Sequence, residues 1–447
     1  MPSSIIDSIY YKDMFGAEEM RLVFSDKNRF QKWLDTEVAL AKAQEKAGIL
    51  PEGISRKIEE AAKLDHLDLE MMKQEFDQVG FPILPFVHQL TKACSSETAR
   101  WVHYGATTQD ILDTGTVLQI KEAFLLIEDN VESIINALAA LSKEHKTTVM
   151  PGRTFQQHAA PITLGYKTAI WLDELLRHKE RLSQLKERVL VGQCSGAVGT
   201  FATLGDKGLK VQEMMMKDLG LQTPDISWHV ARDSWGELLS WFSLVAATLG
   251  KIANEIAILM RTEIGELGEP FEKGRGASST LPQKRNPIEC EPIIAIAHKM
   301  RELAGSQHTA MIQEHERGVG QMHLEWMVLP EAFVLMSGSL LHSKNILEGL
   351  YVDKQRMREN LKMGGGLLMS EAVMMGLAPK IGKKQAHDLV YKIAGNAYEN
   401  GISLKDALSQ NEQVTALLTS AEIEDLIDPL NYTGIASKMV DNVLGKV

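Results

Sequence analysis

The chain has 447 residues, at least twice the length of a common single domain, so two or three domains or one long helical core with caps are expected. Hydrophobic residues make up 44% and charged residues 24%, the balance of a soluble globular enzyme. With 48 Lys+Arg against 59 Asp+Glu the net charge is −11, which argues against an electrostatic grip on nucleic acid or an anionic membrane. A local basic pocket for a small anion remains compatible with that charge. Met1 to Phe15 has neither a basic start nor an apolar run, so no signal peptide is expected. Cys94, Cys194 and Cys290 are odd in number and far apart, which fits reduced thiols in a cytoplasm.

In chain order, a first domain over 1–105 opens with an amphipathic helix from about Ser25 to Ala47. Ser25 is its N-cap, and Gly48 and Pro51 are its stop. The 14 prolines leave long proline-free spans, and since proline inside a helix costs roughly 3 kcal/mol, those spans permit long helices. Apolar periodicity predicts five of them, over 116–148, 162–190, 236–262, 287–312 and 324–349. In the third, Leu238, Leu239, Trp241, Phe242, Val245, Leu249, Ile252, Ile256 and Leu259 recur at spacings of three and four. Two of the segments are apolar on more than one side, which requires several neighbours, some from other copies of the chain. The central part is taken as 106–349, with a catalytic loop at about 270–287. A C-terminal domain over 350–447 has shorter helices separated by Gly364–Gly366, Pro379 and Gly401. Strand patterns are scarce, so the fold class is all-α.

Four segments concentrate chemistry. His103-Tyr104-Gly105-Ala106-Thr107-Thr108-Gln109-Asp110 leads into a long helix; its amides and hydroxyls suit an anion, or equally a plain helix cap at Thr108 or Asp110. Gly152-Arg153-Thr154-Phe155-Gln156-Gln157-His158 gathers an arginine suited to a carboxylate, a hydroxyl, amides and a histidine ahead of another helix. Gly274 to Pro287 places Ser278, Ser279 and Thr280 between glycines and the basic tail Lys284-Arg285-Asn286, the composition of a closing loop or of a simple connector. The fourth is Gln313-Glu314-His315-Glu316-Arg317 with His323 and Glu325. It invites a metal reading, but its histidines lack ligand spacing, and a charged helix face is the alternative. No phosphate loop, dinucleotide fingerprint or nucleophile elbow occurs.

Gly276 to Pro287 resembles the signature loop of the fumarase/aspartase superfamily, departing mainly at Ala277 and Leu281. The first segment resembles that superfamily's His-x-Gly-x-Thr-Ser region, with Thr108 in place of Ser. The second resembles its Arg-Thr-His region, and Ser195 to Thr200 a further shared turn. Within the superfamily the chain looks most similar to the 3-carboxy-cis,cis-muconate cycloisomerases. That likeness rests on Gly152-Arg153-Thr154 with Gln157-His158, Trp228-His229, Arg232-Asp233, Gln313 to Arg317, Glu325-Trp326 and Asp428-Pro429 with Tyr432 and Gly434; the adenylosuccinate lyases come next.

The resemblance implies a homotetramer around twenty helices, five per subunit, with each active site drawn from three subunits. It implies a small polycarboxylate substrate, no metal and no organic cofactor. The chemistry would be addition or elimination next to a carboxylate through an aci-carboxylate, a carbanion delocalised into its carboxylate. Ser279 would be the general base, with His158 and His103 as further acid/base groups. Thr107, Thr108, Arg153, Thr154, Gln157, Ser278, Lys284, Asn286 and Arg317 would bind substrate. Lactonisation is the expected reaction. The alternatives are a C–N lyase releasing fumarate from a substituted aspartate and a non-catalytic member of the family.

Two departures bear on that choice. Phe155 stands where elimination enzymes of the superfamily have a histidine, as in the cycloisomerases. Glu291, in contrast, matches a carboxylate that orients a histidine in the adenylosuccinate lyases. Glu291 and His158 are therefore expected to work as one coupled unit.

Overall fold

The computed structural model describes residues 4–270, 276, 280–281 and 283–447. Helix α1 (Asp26–Lys46) starts on Ser25, whose hydroxyl accepts the backbone N–H of Asn28 at 3.3 Å. The five long helices are α2 (Thr108–Glu144), α3 (Leu164–Val189), α4 (Asp233–Leu259), α5 (Cys290–Ala310) and α6 (Gln321–Glu348). Helix α2 begins at Thr108, well before the expected 116, because its first turn is polar and carries no apolar period. Its start is set instead by Asp110, whose carboxylate accepts the N–H of Thr107 at 3.0 Å, one half of a capping box.

All nine apolar positions predicted for α4 are at most 3% exposed. Burying one such side chain is worth roughly 1.5–3 kcal/mol, so packing rather than intrinsic propensity holds this β-branched and aromatic helix. By length and composition α4 and α6 would also suit a membrane span, but 50% and 67% of their apolar windows are already buried in the protein.

Two compact units share the chain. The first comprises Met1–Val131, His178–Gly250 and Pro292–Leu341, and the second Glu132–Arg177, Lys251–Glu291 and His342–Val447. In the first, Phe333 packs against Phe24, Phe124 and Phe242 with ring centroids 4.9, 6.3 and 4.8 Å away. A neighbouring cluster joins Trp33 and Leu34 of α1 to Ile83, Phe86 and Leu90 and to Ile111 and Leu112 of α2.

An ion cluster crosses this apolar interior. The guanidinium of Arg232 donates to both oxygens of Asp113 (2.8 and 3.0 Å) and both of Glu325 (3.0 and 2.7 Å). All three side chains are buried, and Arg232 lies over the rings of Trp235 and Trp228, 4.0 and 4.8 Å from their centroids. Burial raises the Glu325 carboxyl above its usual range, although Arg232 pulls the other way. A cavity of about 250 Å³ adjoins the cluster, walled by Trp33, Phe76, Trp235 and Trp326.

Among the described residues the paired strands lie in the second unit. A hairpin joins β1 (Val149–Thr154) to β2 (Gln157–Thr163), and a short pair joins β3 (Leu267–Gly268) to β4 (Tyr351–Val352). The hairpin was not expected, because prolines at 151 and 161 and a bulge between Pro151 and Arg153 obscure its alternation. Gly152 lies in that bulge: a Cβ there would meet the carbonyl oxygen of Ala160 at 2.5 Å. The C-terminal helices α7 (Ser370–Ile381) and α8 (Lys383–Asn400) bury Val373, Leu377, Ala386 and Val390 together with Leu408 and Val414. Just before them, Gly364, Gly365 and Gly366 have φ of 69°, 65° and 80°, a left-handed run that only glycine adopts readily.

The ion cluster gives a stability prediction. Replacing Arg232 by Ala strands two buried carboxylates, and removing one partner of a buried ion pair costs about 3–5 kcal/mol. Urea unfolding of Arg232→Ala should show a loss of that size. A loss below about 1 kcal/mol would mean that water solvates Asp113 and Glu325 in the variant.

Candidate active site

The first chemical segment folds around the start of α2 in the first unit. His103 adopts φ 57°, and its Nδ1 lies 2.6 Å from an oxygen of Glu37 while its backbone N–H donates to the other at 3.1 Å. Glu37 belongs to α1 and is only 2% exposed. Burial disfavours the imidazolium, but Glu37, followed by Asp110, outweighs it, so the pKa of His103 lies above its ordinary value. Asp110, fully buried, accepts from the N–H groups of Ser195 (3.0 Å) and Gly196 (2.9 Å) and from His229 Nε2 (2.9 Å). Gln109 donates to the carbonyl of His229 at 2.8 Å and accepts from Arg317 Nε at 2.7 Å. Arg317 also donates to the carbonyl of Ala197 at 3.2 Å. His103, Thr107, Thr108 and Arg317 thus belong to one assembly.

The second segment lies in the second unit and forms the hairpin, not a loop ahead of a helix. Phe155 and Gln156 occupy its two-residue turn with φ of 50° and 67°, the left-handed pair that such a tight turn requires. Phe155 is 99% exposed at the tip, and Thr154 and Gln157 flank it, exposed as well. Arg153 pairs across the strands with His158. Burial, then the charge of Arg153, holds the His158 imidazole below its usual pKa, so it is neutral at pH 7.

Arg153 itself departs from expectation. Its two terminal nitrogens meet both oxygens of Glu266 at 2.9 and 2.7 Å, and Asn360 donates to the same carboxylate at 2.7 Å. Glu266 is fully buried. The bidentate face that would clamp a substrate carboxylate is already filled, so Arg153 ties β1 to the segment that enters β3.

Ser278 and Ser279 lie outside the described residues. Asn286 donates its side-chain amide to the carbonyl of Gly276 at 3.3 Å, and Lys284 is exposed. A cavity of about 390 Å³ in the same unit is lined by Asn286, Arg285, Glu269 and Tyr351, among others. Glu291 opens α5 with its side chain exposed, and its carboxylate is not a hydrogen-bond partner of His158 within the chain. At this helix start the carboxylate that holds an imidazole is Glu289, which meets Nδ1 of His342. Glu269 caps this helix start, accepting the N–H groups of Glu289 and Cys290. Among the described residues no three His, Cys, Asp or Glu side chains gather as metal ligands.

Glu37, Glu266 and Glu289 escaped the sequence reading as working groups, and Asp110 entered it only as a candidate helix cap. Glu37 had a usable signal: it falls four residues after Trp33 and three after Leu34, on the apolar stripe of α1, where an acidic residue needs a partner.

Comparison with known proteins agrees with this architecture. A lyase family model matches residues 14–301, and a model of the adenylosuccinate lyase C-terminus matches 366–443. The chain is 38% identical to the N-acetyl-S-(2-succino)cysteine lyase of Dickeya dadantii, over 99% of this chain and 98% of that protein. It is 41% identical to the 3-carboxy-cis,cis-muconate cycloisomerase of Pseudomonas aeruginosa, over 97% and 95%. A fumarate lyase from Mesorhizobium sp. BNC1 superposes with a TM-score of 0.91 at 44% identity, covering 96% of this chain and 98% of that one. The chain belongs to the fumarase/aspartase superfamily and is a lyase-type enzyme of that superfamily.

Two predictions come from these side chains. Arg153→Ala should destabilise the protein by about 3–5 kcal/mol in chemical denaturation, because Glu266 is left buried and unpaired. If stability is unchanged and only substrate affinity falls, the arginine is a clamp after all. For His103 the folded pKa is raised, so its stabilisation is complete below the unfolded value of about 6.5 and is lost as pH rises through the native value. The gap in urea midpoint between wild type and His103→Gln should therefore shrink from pH about 6 to about 9. A constant gap would mean that the Glu37 contact does not depend on charge.

Proposed function

We propose that the enzyme cleaves a carbon–heteroatom bond of a 2-substituted succinate and releases fumarate. The observation that carries this reading is the imidazole of His103, held towards its cationic form by the buried Glu37. Elimination needs a base for the proton next to one carboxylate and, when the leaving group is strongly basic, an acid for the other end. A departing carboxylate, the leaving group when a lactone opens, has a pKa of about 4 and leaves unaided. A thiolate, whose thiol has a pKa near about 8.5, is a poorer leaving group, and a nitrogen that would otherwise leave as an amide anion requires a proton as its bond breaks. A histidine with a raised pKa suits that task.

In this reading Ser279, on the signature loop of another subunit, takes the proton from the carbon next to a carboxylate, and Ser278, Lys284 and Asn286 of that loop bind substrate. The electron pair delocalises into that carboxylate and then expels the substituent, which leaves with the proton of His103. The N–H of Thr108, the hydroxyls of Thr107 and Thr108 and the guanidinium of Arg317 hold a substrate carboxylate at the start of α2. His158, neutral beside Arg153, is the second candidate for proton transfer, and the neutral imidazole suits a base. Thr154 and Gln157, exposed on the hairpin, are available to substrate held by another subunit, in line with a homotetramer whose sites combine three chains. The relative that acts on a succinylated cysteine supports the C–S case, and the adenylosuccinate lyase model the C–N case. Lactonisation of 3-carboxymuconate is the second reading, favoured by Phe155 and by the cycloisomerase relative.

Absorbance assays separate the two. Supplied with N-acetyl-S-(2-succino)cysteine or adenylosuccinate, the enzyme should produce the rising absorbance of fumarate with at least one of them. Loss of 3-carboxymuconate absorbance with no fumarate from either compound would establish the second reading instead. In the productive assay Ser279→Ala should lower turnover by at least about 100-fold, the usual cost of losing a general base. Near-normal turnover would remove Ser279 from that role.

A further inference from the structure

Arg317 lies in an exposed stretch between α5 and α6, where a long side chain would sample many rotamers. It is held by two contacts, Nε to Gln109 Oε1 at 2.7 Å and a terminal nitrogen to the carbonyl of Ala197 at 3.2 Å. A guanidinium has five N–H donors, so these contacts leave donors over for a bidentate carboxylate.

Gln109 is only 3% exposed, and its amide has a single possible orientation. Its Nε2 faces the carbonyl of His229 at 2.8 Å, which can only accept, so its Oε1 must face Arg317, which can only donate. The residue behind it is equally fixed. His229 Nε2 is tied to Asp110, and Asp110 also holds the N–H groups of Ser195 and Gly196, next to the Ala197 carbonyl that Arg317 uses. Both anchors of Arg317 thus trace back to one buried carboxylate.

We propose that Gln109 is a positioning residue. It aims the Arg317 guanidinium at the substrate carboxylate and thereby sets affinity, without touching the reacting atoms. This inference rests on the reading of Arg317 as a carboxylate clamp. Gln is required here in preference to Glu. A carboxylate would turn an oxygen against the His229 carbonyl and would neutralise Arg317, both of which weaken anion capture.

Fumarate, the product common to every substrate of the proposed class, is the probe, with its Kd measured by calorimetry on the intact enzyme. Arg317→Ala should weaken fumarate binding on the order of ten-fold or more, the worth of a charge-assisted hydrogen bond. Gln109→Met keeps the buried volume and removes both contacts. It should weaken binding several-fold, Gln109→Glu should weaken it further, and the Gln109→Met/Arg317→Ala double variant should bind no worse than Arg317→Ala alone. Thermal melting of each variant reports folding independently. If Arg317→Ala binds fumarate like wild type, the clamp reading falls and the inference falls with it. If Arg317→Ala is weak while Gln109→Met keeps wild-type affinity, even with a lowered melting temperature, the clamp stands and Gln109 is merely structural. Losses that multiply in the double variant would also overturn the inference.

Discussion

Asp110 lies fully buried in the first turn of α2 and takes hydrogen bonds from three separate stretches of chain. The N–H of Thr107 comes from its own helix start, those of Ser195 and Gly196 from the glycine-rich turn, and Nε2 of His229 from the approach to α4. A carboxylate at a helix N-terminus is stabilised by the helix dipole and by orphan amides, which makes this a favourable place for a buried negative charge. One side chain therefore fixes the helix start that carries Thr107 and Thr108, and where the turn carrying Ala197 must lie. The orientation of Arg317 follows from those positions.

Buried charge recurs across the molecule in the same form. Asp113 and Glu325 share Arg232, Glu266 holds Arg153 and Asn360, Glu37 holds His103, and Glu289 holds His342. Each carboxylate sits on or beside an element that the hydrophobic pattern already places, and each binds a group from a distant part of the sequence. Apolar burial sets the helices, and the ion pairs fix how the connecting segments enter and leave them. An enzyme that stabilises developing charge needs donors in fixed positions, because donors that reorganise during the reaction lose most of their benefit.

The two histidines of interest are driven in opposite directions. Glu37 raises His103, while burial and Arg153 lower His158. Groups whose environments push their pKa values apart are suited to acid and base duties at one pH. The opposite shifts are set by the partners these imidazoles meet, Glu37 for one and Arg153 for the other.

Periodicity by itself located the long helices. The nine residues named along α4 are all buried, Ser25 caps α1, and apolar patterns located all five long helices, although α2 starts at Thr108 and α5 and α6 hold Pro292 and Pro330 inside them. Local composition also marked the segments that carry polar chemistry, because glycines, hydroxyls and an arginine grouped before a helix stand out from any core pattern. Partners remained illegible. His103 and Glu37 are 66 residues apart, Arg153 and Glu266 are 113 apart, and Arg317 and Gln109 are 208 apart. For that reason the sequence suggested Arg153 as a carboxylate clamp and Glu291 as the orienting carboxylate, whereas the tertiary structure gives Arg153 to Glu266 and an imidazole to Glu289. The physical reason is common to these cases. Burial follows from spacing along one helix, but the ion pair that a buried charge demands is chosen by whichever opposite charge the packing of other helices brings within about 3 Å.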